Sequence, residues 1–327
     1  MKKYLTLLLS TVLITSLTAC TAKDSAEKNN GENKNVSVES NTDNSNKDKP
    51  FKINYLGQEY SFDKKVENVV LASLEGMEDA ATLGVEAVGV LEVAGKVPKY
   101  LEEDFKNATL VGDKMNPNSE VILGLNPDVI VGSSKLGEET TSKLNKIAVT
   151  LPYSHISANW KDNLLALAEI TGKVEEGNKI ISDYQEKASK TKEKLSNEYK
   201  DKDVLVVRIR RGLMYVYPAD VYLNPVLYND LGLKVPEVVT QAKAQAELTL
   251  ETLAEMNPDA IFLQFDDSEN SDVPKALNEL LENPIFKGIE ASKNNKVFVN
   301  TIDPLAQGGT AWSKVRFLDA VVDNLLK

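Results

Sequence analysis

The chain has 327 residues, 27% of them charged, and 49 Asp and Glu against 38 Lys and Arg give a formal net charge of −11. One Cys and one His exclude an internal disulfide, a thiolate zinc site and the multi-imidazole centres of catalytic zinc, copper or non-haem iron. The acidic balance argues against a general nucleic-acid binder, and 42% hydrophobic residues suffice for one large domain or two lobes.

Residues 1–19 read as a removable secretion signal. Lys2 and Lys3 form a basic start, and Tyr4 to Leu17 form an apolar stretch too short to span a membrane. Leu17-Thr18-Ala19-Cys20 has the form of a bacterial lipobox, so Cys20 is expected to be lipidated and the chain anchored on the extracytoplasmic face of the cell membrane. Cleavage removes two lysines and no acid, leaving the mature chain more acidic still. Residues 21–50 are mostly Lys, Asn, Ser, Asp and Glu, which cannot bury a core. With Cys20 they form an expected disordered tether with an end-to-end distance of about 30 Å.

From Phe51 onward apolar runs alternate with amphipathic stretches. Strands are predicted at Asn68–Ala72, Val88–Val93, Thr109–Gly112, Asp128–Gly132 and Ile147–Tyr153, with a helix over 75–84. After residue 200 the pattern resumes, with strands at Val204–Ile209, Ala260–Phe265 and Lys296–Asn300. This alternation predicts an α/β fold with mostly parallel strands covered on both faces.

A local repeat supports two lobes. Glu120, Asn126, Pro127 and Asp128 recur as Glu251, Asn257, Pro258 and Asp259 at the same spacing, each in a helix, Asn-Pro-Asp turn and buried strand. Between the copies, Asn163–Tyr199 carries an apolar face in a helix-favouring composition, which Gly172 and Gly177 are placed to interrupt. The resulting scheme is an N-terminal lobe over 51–160, an interlobe helix over 161–200 and a C-terminal lobe over 201–327. A cleft between such lobes is a common small-ligand site.

Over about residues 66–327 the chain resembles the iron-siderophore and cobalamin-type substrate-binding proteins of ABC importers. The resemblance rests on the lipobox, the repeated unit, the connector, and the stretches Ser154-His-Ile-Ser-Ala-Asn-Trp160 and Ala306-Gln-Gly-Gly-Thr-Ala-Trp312. The last two resemble the Gram-positive branch for ferric hydroxamate and citrate siderophores. The resemblance implies the class III architecture, two similar lobes with mostly parallel sheets joined by one long helix. It implies a ferric siderophore as ligand, no cofactor, no metal held directly by protein, and an expected monomer. The partners implied are a permease and a cytoplasmic ATPase. In this family each lobe presents a Glu to an arginine pocket on the permease, seven residues before the Pro of the repeated unit; here those positions are Glu120 and Glu251.

The residues themselves point to an anion site. Only four basic residues are Arg, and Arg208, Arg210 and Arg211 follow the apolar run Val204–Val207. In a strand, Arg208 and Arg210 share one face and Arg211 takes the other. Guanidinium binds carboxylate-type oxygens through a planar fork and stays charged. An acidic protein needs such local positive charge to hold an anion. Lys114 and Lys135 each follow a predicted strand, where ligands of open α/β sheets sit. Trp160, Trp312, Tyr222 and Gln307 are expected to complete the wall. If the arginine strand continues, Tyr215 and Tyr217 fall on the face of Arg211.

No GxSxG elbow, P-loop or HExxH appears, so a binding protein rather than an enzyme is expected. Haem or cobalamin delivery is the alternative, with His155 as an axial haem ligand. A third reading is an envelope interaction protein without a ligand. A fourth is an acid hydrolase using Asp266 and Asp267.

Overall fold

The computed structural model describes residues 49–327; the leader, Cys20 and nearly all of the expected tether lie outside the described residues. The N-terminal lobe opens with an antiparallel hairpin of β1 (Phe51–Tyr55) and β2 (Gln58–Phe62). Then come β3 (Val69–Ala72), α1 (Leu74–Leu83), β4 (Gly89–Glu92), β5 (Thr109–Asp113), α2 (Ser119–Gly124), β6 (Val129–Ser133), α3 (Glu138–Asn145) and β7 (Val149–Tyr153). Strands β3 to β7 form a parallel sheet ordered β5-β4-β3-β6-β7. Strands β3 and β6 are buried throughout, as central strands covered on both faces must be.

The connector is two helices, α4 (Trp160–Thr171) and α5 (Val174–Glu198). The break falls at Gly172, whose φ of 71° is left-handed and strained for any residue with a Cβ; Gly177 lies inside α5. Helix α4 packs on α1 and β1, within the N-terminal lobe. Helix α5, about 37 Å long at 1.5 Å per residue, is the long joining helix. Ile181, Tyr184, Ala188, Thr191 and Leu195 form its buried stripe, at the spacing of three and four that defines one helix face.

The C-terminal lobe contains β8 (Val204–Arg210), β9 (Leu213–Val216), α6 (Glu237–Gln241), β10 (Ala246–Glu247), α7 (Leu250–Met256) and β11 (Ala260–Phe265). Three short helices follow, α8 (Ala276–Glu282), α9 (Pro284–Lys287) and α10 (Glu290–Lys293), then β12 (Val297–Val299) and α11 (Ala311–Leu325). Its sheet runs β10-β9-β8-β11-β12, with β8, β11 and β12 parallel and β9 antiparallel to both neighbours. Helix α11 returns across the molecule and packs on α1, α4 and α5. No helix among the described residues is long and apolar enough to cross a membrane.

The sequence repeat corresponds to one physical device used in both lobes. Asn126 and Asn257 take left-handed conformations, φ 48° and 49°, which Asn tolerates better than most residues. Each following Asp then fastens the next strand to its neighbour. The Asp128 carboxylate accepts the backbone N–H groups of Glu67 (2.9 Å) and Asn68 (2.8 Å) ahead of β3. The Asp259 carboxylate accepts the Asp203 N–H (2.9 Å) ahead of β8. These contacts set the parallel pairs β3–β6 and β8–β11 at the centre of each sheet.

Loss of a charged acceptor from paired backbone groups has a predictable effect. Asp128→Ala and Asp259→Ala should each reduce unfolding free energy by about 1–3 kcal/mol, with the larger loss at Asp128. Urea titration checks this; wild-type midpoints would show that the repeated acids do not fasten the sheets.

Candidate functional site

The helices that follow parallel strands leave the carboxyl ends of both sheets open, which is where ligands of such sheets sit. A cavity of about 420 Å³ lies there, between the lobes. The N-terminal lobe lines it with Leu74, Glu92, Tyr100, Asp113, Lys114 and Met115. The C-terminal lobe contributes Arg208, Arg210 and Glu269, and the segment after β12 contributes Leu305, Ala306 and Gln307. Of the sequence-predicted residues, Arg208, Arg210, Lys114 and Gln307 therefore come together.

The two arginines share one carboxylate. Arg208 Nε donates to Glu269 Oε2 at 3.0 Å, with Nη2 at 2.9 Å. Arg210 Nη2 lies 3.1 Å from Glu269 Oε1. Arg208 lies 5.2 Å from the centre of the Tyr222 ring. Burial disfavours its charge, but Tyr222 and Glu269 outweigh that and hold its pKa above the usual value. Arg210 Nη1 donates to Gln245 Oε1 at 2.8 Å, and the Tyr217 hydroxyl donates to the same oxygen at 3.0 Å. The side chain of Arg208 is 13% exposed and that of Arg210 is 40% exposed. Each guanidinium commits two of its five N–H donors to these contacts; Arg210 is the more exposed and so the more accessible to a ligand, and Arg208 holds the cluster together.

The parity expected for Tyr215 and Tyr217 is corrected. The chain reverses at Arg211 and Gly212, φ 51° and 77°, a two-residue turn of the type that matches strand twist. Tyr215 then pairs with Arg208, and residues paired across a hairpin share a face. Both tyrosines therefore belong with Arg208 and Arg210. Arg211 itself is exposed.

Trp160, Trp312, Tyr222 and Lys135 do not line this cavity. Trp160 borders a separate cavity of about 520 Å³ beside α5. Its ring stands 5.2 Å from Tyr184, and the buried Lys314 ammonium lies 5.4 and 5.3 Å from the two ring centres. Lys314 pairs with Asp230 at 2.6 Å, and burial pulls its pKa below the usual value. Trp312 is buried behind Tyr100, 4.7 Å away, with Arg316 stacked at 4.0 Å. Tyr222 is buried beneath Arg208. Lys135 is exposed after β6, two strands along the same sheet edge from β4.

His155 also lies on this edge, after β7. Its Nδ1 is 2.9 Å from the Ser134 hydroxyl, and partial burial followed by the Lys135 charge lowers its pKa. Among the described residues no group of three or more His, Cys, Asp or Glu could hold a metal ion. Asp266 caps its own turn, accepting the Ser268 N–H at 2.8 Å.

Glu120 and Glu251 are exposed and occupy matching places. Each is the second residue of its helix, behind a side-chain cap from Asn118 or Thr249. Both helices begin at the cleft-facing edge of their lobe, one after β5 and one after β10.

A second pair of acids, Glu78 and Asp79, is fully buried at the junction of the lobes. Glu78 Oε1 accepts from the Tyr100 hydroxyl and the Gln307 N–H, both at 2.7 Å. Its Oε2 accepts from the hydroxyls of Thr310 and Ser313. Asp79 accepts from Ala311 N–H and the Tyr153 hydroxyl, both at 2.8 Å. Burial raises both carboxyl pKa values, that of Asp79 to about 8. Sequence reading missed them because 75, 78, 79 and 82 form the polar face of α1, which ordinarily meets water. The Gly-Gly pair explains how the partner segment reaches them. A Cβ on Gly308 would lie 2.6 Å from the Tyr222 carbonyl carbon, and one on Gly309 would lie 2.9 Å from Ser157 Cα.

Residues 69–302 match the periplasmic binding protein family. The chain belongs to that family. It is 48% identical over 275 residues to the iron-uptake system-binding protein of Bacillus subtilis, covering 84% of this chain and 87% of that one. The crystal structure of the B. subtilis triscatecholate siderophore binding protein FeuA with ferri-bacillibactin superposes with a TM-score of 0.77 at 48% identity, over 84% of this chain and 98% of that one. The iron(3+)-hydroxamate-binding protein YxeB of B. subtilis is 29% identical over 238 residues, 70% of this chain and 71% of that one. As in the family at large, the architecture is that of a binding protein, two α/β lobes facing across a cleft.

The single His of this binding protein gives a clean electrostatic probe. Lys135→Ala should raise the His155 pKa toward its ordinary value, because a neighbouring cation disfavours imidazolium. An NMR titration of the one imidazole reads it; an unmoved or lowered pKa would show that Lys135 does not face this edge.

Proposed function

We propose that this chain captures a ferric siderophore of the triscatecholate class between its lobes and delivers it to an ABC permease. The carrying observation is the convergence of Arg208, Arg210 and Lys114 from both lobes on one cavity of an otherwise acidic protein, where Glu269 is already shared by the two arginines. Iron(III) bound by three catecholates has a net charge of minus three, since each catecholate brings two negative oxygens. A guanidinium with free donors suits those oxygens. Lys135 follows β6, three strands from β5, which precedes Lys114. At about 4.8 Å per strand the two residues start about 14 Å apart along one sheet edge, so Lys114 and Arg210 meet the complex from opposite lobes and Lys135, outside the cavity, meets only a part that projects beyond it. Tyr100 and Met115 supply ring and thioether surface for the apolar rims.

The ligand class differs from the hydroxamate or citrate type expected from the sequence. Identity to the triscatecholate-binding chain is 48%, against 29% to the hydroxamate-binding one. The stretches 154–160 and 306–312, which suggested the other branch, thread the lobe junction and carry little of the cavity wall. Iron enters already enclosed by siderophore oxygens, so the protein supplies charge and shape rather than ligands to the metal. Lipidation at Cys20 would keep the chain at the membrane, and Glu120 and Glu251, one per lobe, are the proposed contacts to the permease.

Arg210→Ala should weaken the ferric triscatecholate about 10–100-fold, the equivalent of one charge-assisted hydrogen bond. Tryptophan fluorescence titration measures this; full affinity in the folded variant would remove Arg210 from the site. Replacing Glu120 and Glu251 together by Ala should leave binding intact and abolish iron uptake by cells. Normal uptake would rule out the docking role.

A further inference from the structure

Two walls of the cleft are tied to a single buried group that does not itself face ligand. Tyr100 lines the cavity from the N-terminal lobe, and Gln307 lines it from the segment that leads into α11. The Tyr100 hydroxyl and the Gln307 N–H both donate to one oxygen, Glu78 Oε1. The other carboxylate oxygen takes the hydroxyls of Thr310 and Ser313, the cap and third residue of α11. Four donors converge on one side chain, and Glu78 is rooted in α1. Among the described residues no cation pairs with it; Arg316, the cation whose charge feels it, is stacked on Trp312.

We infer that Glu78 is a positioning residue of the cleft, a single carboxylate that sets the Tyr100 ring and the Gln307 backbone at the spacing at which ligand is gripped. This rests on the ligand reading above. The Tyr100 ring lies 4.7 Å from Trp312, and Trp312 in turn sits in the first turn of α11. The ring is thus held at its hydroxyl by Glu78 and at its side by Trp312, whose plane is tilted 55° to it. Loss of the hydroxyl tether frees the ring to tilt on Trp312, and loss of Glu78 also frees the Gln307 backbone. Asp79, the adjacent residue, holds Ala311 N–H of the same helix, so α11 keeps one anchor when Glu78 is changed.

The chemistry of the amide separates geometry from charge. In Glu78→Gln one carbonyl oxygen still accepts from Tyr100 and Gln307, and the amide donates to the rotatable hydroxyls of Thr310 and Ser313. Glu78→Ala removes all four contacts. Tyr100→Phe removes one and keeps the ring.

The experiment uses the mature chain in a Trp160→Phe background, so that Trp312 is the one indole. Affinity is read with the ferric complex of a synthetic tricatecholamide chelator. Acrylamide quenching of Trp312 is read without ligand. We expect Tyr100→Phe to weaken binding about fivefold, the equivalent of one hydrogen bond, and Glu78→Ala by more. Glu78→Gln should stay within about threefold of the parent. Quenching should rise in Tyr100→Phe and Glu78→Ala and remain low in Glu78→Gln. Unchanged affinity and quenching in folded Tyr100→Phe would overturn the inference, as would a Glu78→Gln variant as impaired as Glu78→Ala. Should Glu78→Ala fail to fold, Tyr100→Phe and Glu78→Gln still decide. If the parent itself does not bind the ferric complex, the ligand reading falls, and the quenching series alone judges the positioning role.

Discussion

Two guanidiniums placed side by side at the end of one strand repel each other, and the cleft depends on how that repulsion is handled. Glu269 bridges Arg208 and Arg210, turning two like charges into a cluster with one net positive charge and fixed geometry. The arrangement needs the turn after β11 to bring Glu269 back over β8. That turn is held in place by Asn270, whose amide donates to the Ile209 and Asp266 carbonyls at 3.1 and 2.8 Å. It also needs Tyr222 beneath Arg208 and Gln245 beside Arg210. Exposed ion pairs stabilise little. Here Arg208 and Glu269 are mostly shielded from solvent while Arg210 is half-exposed, and the consequence of the bridge is orientation of Arg210 more than stability.

Much of the fold was legible because buried parallel strands write continuous apolar runs. Val204–Val207 and Ala260–Phe265 could be little else, and the strands found at β3, β4, β6, β8 and β11 lie within a residue or two of the predicted runs. The β1–β2 hairpin went unassigned although its alternation, with buried Ile53 and Tyr55 facing buried Tyr60 and Phe62, and its Leu56-Gly57 turn were present. Short alternating strands around one glycine carry a weak signal beside long apolar runs. The Arg211-Gly212 reversal escaped for a related reason. A strand followed by a turn and another strand reads as one continuous strand until the two φ values are known, and a two-residue turn changes which tyrosines face the arginines.

The cleft was legible where chemistry and position coincided. Scarce arginine at a strand end marked Arg208 and Arg210, and a lysine just past β5 marked Lys114. Aromatic residues carried no such positional information. Trp160 and Trp312 flank motifs that look ligand-facing in sequence, yet Trp160 boxes the Lys314 ammonium and Trp312 braces Tyr100. Both sit where the lobes meet, a surface that exists only in three dimensions. Glu78 and Asp79 were hidden by the same fact. Their helix is amphipathic in sequence, but its polar face is covered by the start of α11, which sequence separation of more than 230 residues gives no reason to expect.

The acidic junction and the basic cleft follow from one electrostatic logic. A protein of this net charge repels anions at long range, so attraction must be generated within a few ångströms, where low-dielectric walls strengthen it. Placing carboxylates close to those walls would ordinarily cancel the effect. Glu269 is tolerated because it is shared between two cations. Glu78 and Asp79 are tolerated because neither lines the cavity, because hydroxyl and backbone donors converge on them, and because the amino end of α11 opposes their charge. Groups already fixed before ligand arrives do not have to be ordered by it, and affinity gains accordingly. The same hydrogen bonds that brace the lobes thus keep Glu78 and Asp79 out of the cavity wall, where a ligand meets Arg210 and Lys114 beside Glu92 and Asp113.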